Sequence, residues 1–168
     1  MEPLRHADRV AVARLHALLE LLPTALDREL ASTGLTAFEL TLLEALHDAD
    51  AGRLRLSALA ARTNASLPRL SRVATALERR GLIERAACEE DGRATNAVLT
   101  RAGRDAYLAG RPVYDAAVRS MILDGLDAER IDDLAAIALA ILGRLDPERR
   151  LAITAEGDAC PADPVADR

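Results

Sequence analysis

Lysine is absent from the 168 residues, so all 22 basic side chains are arginine. Each cation is therefore a planar fork that can grip a carboxylate, a phosphate or a base edge with two parallel hydrogen bonds. Tryptophan is also absent, and only Phe38, Tyr107 and Tyr114 are aromatic. Three aromatics are too few for a platform that stacks single-stranded bases. Scarcity of aromatic and β-branched residues also argues against an all-β sandwich or barrel. The two cysteines, Cys88 and Cys160, lie far apart and form no disulfide framework. No run of 18 apolar residues occurs, so no transmembrane helix is expected. Met1 to Arg14 carries charges where a signal peptide needs an apolar centre. A soluble cytoplasmic protein is the simplest expectation.

What the chain does have is alanine and leucine, which supply most of its 50% hydrophobic content. Both favour helices. Its length suits one domain, or one domain with an appendage, large enough to fold without a disulfide or metal staple. The formal net charge of −5, taken whole, argues against a nucleic-acid partner. Its distribution argues otherwise. Residues 1–52 hold four Arg against nine acidic residues, for −5. Residues 53–104 hold 11 Arg against five acidic residues, for +6. Residues 105–168 hold seven Arg against 13 acidic residues, for −6. Such asymmetry is a better guide to partners than the total.

Val12, Leu15, Leu19, Leu22 and Leu26 form one apolar stripe and predict a helix from about Asp8 to Ala31. Pro23 inside it should kink or split that helix. Thr36 and Glu39 read as a capping box for a helix ending near Asp48. A turn at Asp50-Ala51-Gly52 precedes a brief alternation, Arg53-Leu54-Arg55, that suits an edge strand. Ser57 is expected to cap a short helix, Ala58 to about Arg62. Ser66 is expected to cap a longer one to about Arg80, where Gly81 supplies the stop. Leu82 to Ala86 and Ala94 to Leu99 read as a hairpin with a charged tip at Glu89-Glu90-Asp91-Gly92. Thr100 should cap a helix to about Leu123, with a kink near Gly110 and Pro112. Asp127 should cap a last helix bearing Ile131, Leu134, Ile137 or Ala138, Ile141 and Leu145. From Pro147 periodicity fades, and a disordered tail is expected.

Two helices joined by a short turn and followed by a hairpin make a winged helix-turn-helix, here on the basic segment. On the helix after Ser66, Leu70, Val73, Ala74 and Leu77 form one face. At about 100° per residue, Pro68, Arg72, Thr75 and Arg79 fall opposite, with Ser71 on one flank and Arg69 on the other. A recognition helix reads a major groove through its N-terminal residues, and arginine is the commonest bidentate reader of guanine. Ser66 and the free N–H groups of that helix start suit a phosphate. An ordinary solvated, Arg-bearing helix would show the same pattern.

At this point the sequence resembles the MarR family of bacterial regulators. The resemblance runs through residues 35–46, Leu56-Ser57-Ala58-Leu59-Ala60, Ser71-Arg72 and the passage from Leu77 through Gly81 to Arg85. It continues through Asp91-Gly92-Arg93 and Val98-Leu99-Thr100, with Gly103 just after, and spans roughly residues 8–146. Asp-x-Arg with the later Val-Leu-Thr is the most specific part. The resemblance implies a mainly α fold with a small β-hairpin wing, flanked by N- and C-terminal dimerisation helices. It implies that Arg93 enters a minor groove and that Asp91 pairs with an arginine to hold the wing. Arg85 and Arg101 are expected to contact phosphates. Leu67-Pro68-Arg69 departs from the small polar residues usual at the start of the family's recognition helix.

These readings divide the chain into a helical dimerisation region at 1–35 and 101–146, a DNA-binding region at 36–100 and a tail at 147–168. The expected partners are a second copy of the chain and a near-palindromic double-stranded DNA site, with half-sites about 10 bp apart. No membrane partner is expected. The resemblance further implies a small anionic aromatic effector, for which Arg14, His16, His47 and Tyr107 lie on suitable elements. The histidines His6, His16 and His47 show no metal-ligand spacing, so no metal or other cofactor is expected. Cys88 is followed by Glu89, Glu90 and Asp91, a setting that favours an inert thiol. No phosphate loop, nucleophile elbow or catalytic carboxylate pair appears, so no enzyme is expected. The leading expectation is a dimeric, sequence-specific DNA-binding transcriptional regulator, a repressor released by a ligand or signal. The alternative is a helical interaction or ligand-binding protein that kept the winged fold without reading DNA.

Overall fold

A computed structural model describes residues 3–87, 95–151 and 153 of the chain. The first helix, α1, runs His6–Leu30. Pro23 neither splits it nor ends it. Proline removes the hydrogen bond to the carbonyl four residues back, that of Leu19. Both residues are exposed, so water can take that carbonyl's place as partner. A short 3₁₀ turn and Gly34, at φ 71°, lead to α2, Ala37–His47. The expected capping box is present: Glu39 N–H donates to Thr36 Oγ1 at 3.2 Å, and Thr36 N–H donates to Glu39 Oε2 at 2.9 Å.

The edge strand β1, Arg53–Arg55, precedes α3, Leu56–Arg62, and α4, Leu67–Arg79. Neither Ser57 nor Ser66 caps its helix as expected. Ser57 lies inside α3, whose N-cap is Arg55. Ser66 occupies the N-cap position of α4 but makes no side-chain cap. Pro68, in the first turn, removes one of the two N–H groups such a cap would satisfy. At the far end Gly81 N–H donates to Glu78 O and Leu82 N–H to Leu77 O, at 2.9 and 3.0 Å. Those bonds, with Gly81 at φ 70°, form the Schellman stop that only a residue at ease in the left-handed region closes readily.

Strands β2, Ile83–Ala87, and β3, Thr95–Leu99, pair antiparallel, and β1 adds on the far side of β3. The sheet order is therefore β1-β3-β2. Helix α5, Arg101–Val118, starts at Thr100, whose hydroxyl accepts from Gly103 N–H at 3.0 Å. The expected kink at Gly110 and Pro112 is not where regularity changes. A π-helical turn at Arg119–Leu123 follows α5 instead. Gly110 serves packing: a Cβ there would meet Leu40 Cδ1 at 2.9 Å and Leu35 Cδ1 at 3.3 Å. Gly103 is tighter still, since a Cβ would stand 2.0 Å from the Leu82 carbonyl oxygen. Helix α6, Ala128–Leu145, begins at Asp127, whose side chain accepts from Arg130 N–H at 3.0 Å. Beyond it, Arg150 and Leu151 N–H donate to the Asp146 carboxylate. Residues 152 and 154–168, most of the expected tail, lie outside the described residues.

One core gathers Leu30, Leu42, Leu43, Leu46, Leu59, Leu70, Leu77 and Ile83 from α1 to α4 and β2, all but fully buried. Helix α5 closes it through Tyr107. The first half of α1 and all of α6 stay outside this core. Val12, Leu15, Leu18, Leu19 and Leu21 are exposed on α1, as are Ile131, Leu134, Ile137, Ile141 and Leu145 on α6. The apolar periodicity of both helices is real, but one copy of the chain does not cover it.

Candidate nucleic-acid interface

Helix α4 divides as its sequence pattern requires. Leu70, Ala74 and Leu77 are fully buried and Val73 partly so. Pro68, Arg69, Arg72 and Arg79 are exposed, while Ser71 and Thr75 are half-buried. Among the described residues, none accepts a hydrogen bond from the guanidinium of Arg69, Arg72 or Arg79. A row of cations without carboxylate partners is an electrostatic footprint for a polyanion. Ser66 and Arg101 are exposed at the starts of α4 and α5.

Arg69 has a partner of another kind. Its guanidinium carbon lies 4.2 Å from the centre of the Phe38 ring, a cation–π contact onto the first turn of α2. Arg80, just past α4, reaches the same turn. Its Nη1 donates to Glu39 Oε1 at 3.0 Å and its Nη2 to Gly34 O at 2.7 Å. Both ends of α4 are thus tied to the start of α2.

Arg85, expected to contact a phosphate, is engaged within the protein. Its side chain turns back onto α4, where Nη2 donates to Ser71 O at 3.0 Å and to Thr75 Oγ1 at 2.8 Å. The Thr75 hydroxyl in turn donates to Ser71 O at 2.9 Å. Arg85 Nε is buried and makes no hydrogen bond, though Glu78 Oε2 lies 3.5 Å away. Arg85 therefore buttresses α4 from β2, and Thr75 spends its hydroxyl there too. Both bonds leave from the one Nη2 nitrogen, so removing the guanidinium loses them together. Arg85→Met is expected to lower the unfolding free energy by about 1–3 kcal/mol. A urea titration should show a lower midpoint with an unchanged slope; an unmoved midpoint would remove the buttress.

The wing residues Asp91 and Arg93, with Cys88, lie outside the described residues, as does Cys160. Of the four expected effector residues, two are brought together. The His47 and Tyr107 rings lie 4.7 Å apart, and Arg104 Nη1 is 3.1 Å from His47 Nδ1. Burial, followed by the charges of Asp48 and Asp115, pushes the Tyr107 hydroxyl above its usual pKa. Arg14 and His16 sit on the exposed first half of α1, and no described contact joins them to that pair. Among the described residues, no group of three or more His, Cys, Asp or Glu side chains could hold a metal. No described helix is long and apolar enough to cross a membrane.

Against known proteins, a MarR family model matches residues 33–94. The crystal structure of AbsC, a MarR family transcriptional regulator from Streptomyces coelicolor, is 30% identical, covering 88% of this chain and 99% of its own, with TM-score 0.82. This chain belongs to the MarR family. A second MarR regulator from Streptomyces coelicolor, Sco3205, solved in complex with DNA, is 28% identical. That match covers 88% of this chain and 92% of Sco3205, with TM-score 0.84. CouR from Rhodococcus jostii RHA1, solved with p-coumaroyl-CoA, is 19% identical over 83% of this chain and 95% of its own. Its TM-score of 0.68 shows a shared fold. No curated protein matches the chain. As a MarR family member, the chain is a transcriptional regulator by kinship. The family model spans α2, β1, α3, α4 and β2, and the likeness to AbsC extends over 88% of the chain.

Proposed function

We propose that this MarR chain acts as a homodimer that binds a near-palindromic double-stranded DNA site and represses transcription until a ligand or signal releases it. The observation that carries this reading is the exposed arginine face of α4, with no carboxylate among the described residues to neutralise it. Arg72 reads base edges in the major groove, flanked by Ser71 and Pro68, and Arg79 adds charge at the far end of α4. Ser66 and Arg101 hold phosphates, and Arg93, positioned by Asp91, enters the adjacent minor groove. Arg85 and Thr75 act by holding α4 in place. The DNA-bound state of Sco3205 supports the same use of a similar chain.

The DNA-binding region is 36–100, and 1–35 with 101–146 form the dimer. The exposed leucines and isoleucines of α1 and α6 support this division, since burying each would contribute ~1.5–3 kcal/mol. A two-fold partner is the commonest way a soluble chain covers such faces. A small anionic aromatic effector would meet His47, Tyr107 and Arg104 where α2 and α5 touch. The role is regulatory and not catalytic, exercised in the cytoplasm where the DNA lies.

Gel shifts against the duplex upstream of the chain's own coding sequence test this reading. Neutralising phosphates releases condensed counterions, so affinity should fall roughly a thousandfold between about 50 and 200 mM salt. A helical interaction protein that does not read DNA would show no such slope. Absence of a shift at either salt concentration would overturn the proposal.

A further inference from the structure

Phe38 is one of three aromatics in the chain, and it lies on α2, away from the recognition helix. Its ring packs partly into the core, yet its face carries the Arg69 guanidinium at 4.2 Å. The contact restrains the guanidinium over the ring face, and none of its N–H groups is accepted by another described residue. It therefore limits where the fork can go without committing its donors to a protein acceptor. An unstacked arginine on an exposed helix turn would have to lose that rotational freedom on binding, at a cost in affinity.

We infer that Phe38 is a positioning residue that presets Arg69 as a fork for a backbone phosphate. This rests on the DNA-binding reading above and adds a residue that reading does not use. Phosphate is favoured over a base edge by placement. Arg72 projects from the middle of the outer face, whereas Arg69 is drawn to one flank of α4, toward α2. A helix lying in a major groove has phosphates along its flanks and base edges under its outer face. The Arg80 bonds to Glu39 and Gly34 fix the same α2 turn against α4, so the ring is held as firmly as the helix it serves.

Phe38→Leu is the discriminating variant, because it keeps apolar volume in the core and removes only the π face. It should melt within a few degrees of wild type. Its affinity for the upstream duplex at fixed low salt should fall about three- to tenfold. The same factor should be lost on a scrambled duplex, since phosphate contacts carry no sequence information. The salt slope should become shallower, a change that a merely structural defect would not produce. Phe38→Tyr should restore binding, and Phe38→Leu should cost nothing further in an Arg69→Ala background. Wild-type affinity in Phe38→Leu, or an equal loss in the Arg69→Ala background, would overturn the inference. A loss confined to the upstream duplex would overturn the phosphate assignment. In all three cases wild type still binds DNA. A wild-type chain that shifts neither duplex would overturn the DNA reading and this inference with it.

Discussion

Gly103→Ala should lower the melting temperature by roughly 10–20 °C, the largest stability loss expected from any single methyl group in this chain. The added Cβ would stand 2.0 Å from the Leu82 carbonyl oxygen and 2.8 Å from Leu99 Cδ1. Neither neighbour can yield cheaply. The Leu82 carbonyl is backbone and already accepts from Thr100 N–H at 3.2 Å and Thr100 Oγ1 at 3.0 Å. Moving Thr100 away with the first turn of α5 would break both bonds, and moving the turn alone would break the Gly103 N–H cap on Thr100. Overpacking costs about 1–3 kcal/mol, and each lost hydrogen bond about 1 kcal/mol more. Several kcal/mol is a large share of a typical domain's stability. Gly143→Ala, in the interior of α6, is the control. A Cβ there meets nothing within 4 Å, so helix propensity should leave the melt unchanged or slightly raised. A Gly103→Ala chain that melts like wild type would show that α5 docks on β2 less tightly than these distances require.

The cap at that junction is legible in the sequence, because its signals are local. Thr100 precedes Gly103 by three residues, as a cap must, and the stop at Gly81, the box at Thr36 and the cap at Asp127 have the same short range. The three strands also fall within a residue or so of the positions their alternation indicates. Local signals misled where solvent could satisfy what the rule forbids. Pro23 and Pro112 sit on exposed faces of helices that run through them. Ser66 occupies a cap position without capping, because Pro68 withdraws a donor.

The site was legible only in its outline. Periodicity separates the buried Leu70, Ala74 and Leu77 from the exposed arginines, but it says nothing of where long side chains end. Arg80 meets Glu39 across 41 positions of sequence, and Arg85 meets Ser71 across 14. Arg69 reaches Phe38 on another helix. Eleven arginines in the basic segment look alike in sequence, and only contacts sort them into buttress, stacked fork and free cation. The same holds for the flanks, whose apolar stripes are evident by spacing while their need for a partner emerges only from exposure.

Arg72→Ala should cost about 1–3 kcal/mol, roughly fivefold to 150-fold in affinity, at the cognate site for each protomer it alters. Placement singles out Arg72 from the other arginines of α4. Like Arg69 and Arg79 it is exposed and its N–H groups meet no described acceptor, but it projects from the middle of the outer face between Ser71 and Val73, which are committed to the protein. Arg69 is drawn aside by Phe38, and Arg79 lies at the C-terminal end, where a helix entering a groove by its first turns departs from the bases. Arg72 is thus the fork best aimed at guanine O6 and N7. Discrimination between the cognate duplex and a scrambled one should shrink by the same factor, because the lost contact reads sequence. Arg72→Lys should recover non-specific binding without recovering discrimination, since a point charge can meet a phosphate but cannot fork onto a base. Titrating the three proteins against both duplexes at one salt concentration measures this. An equal loss on the two duplexes would make Arg72 a phosphate contact and move base reading to another residue. The −5 total would then still coexist with DNA binding, because the +6 segment supplies the field whichever arginine reads the sequence.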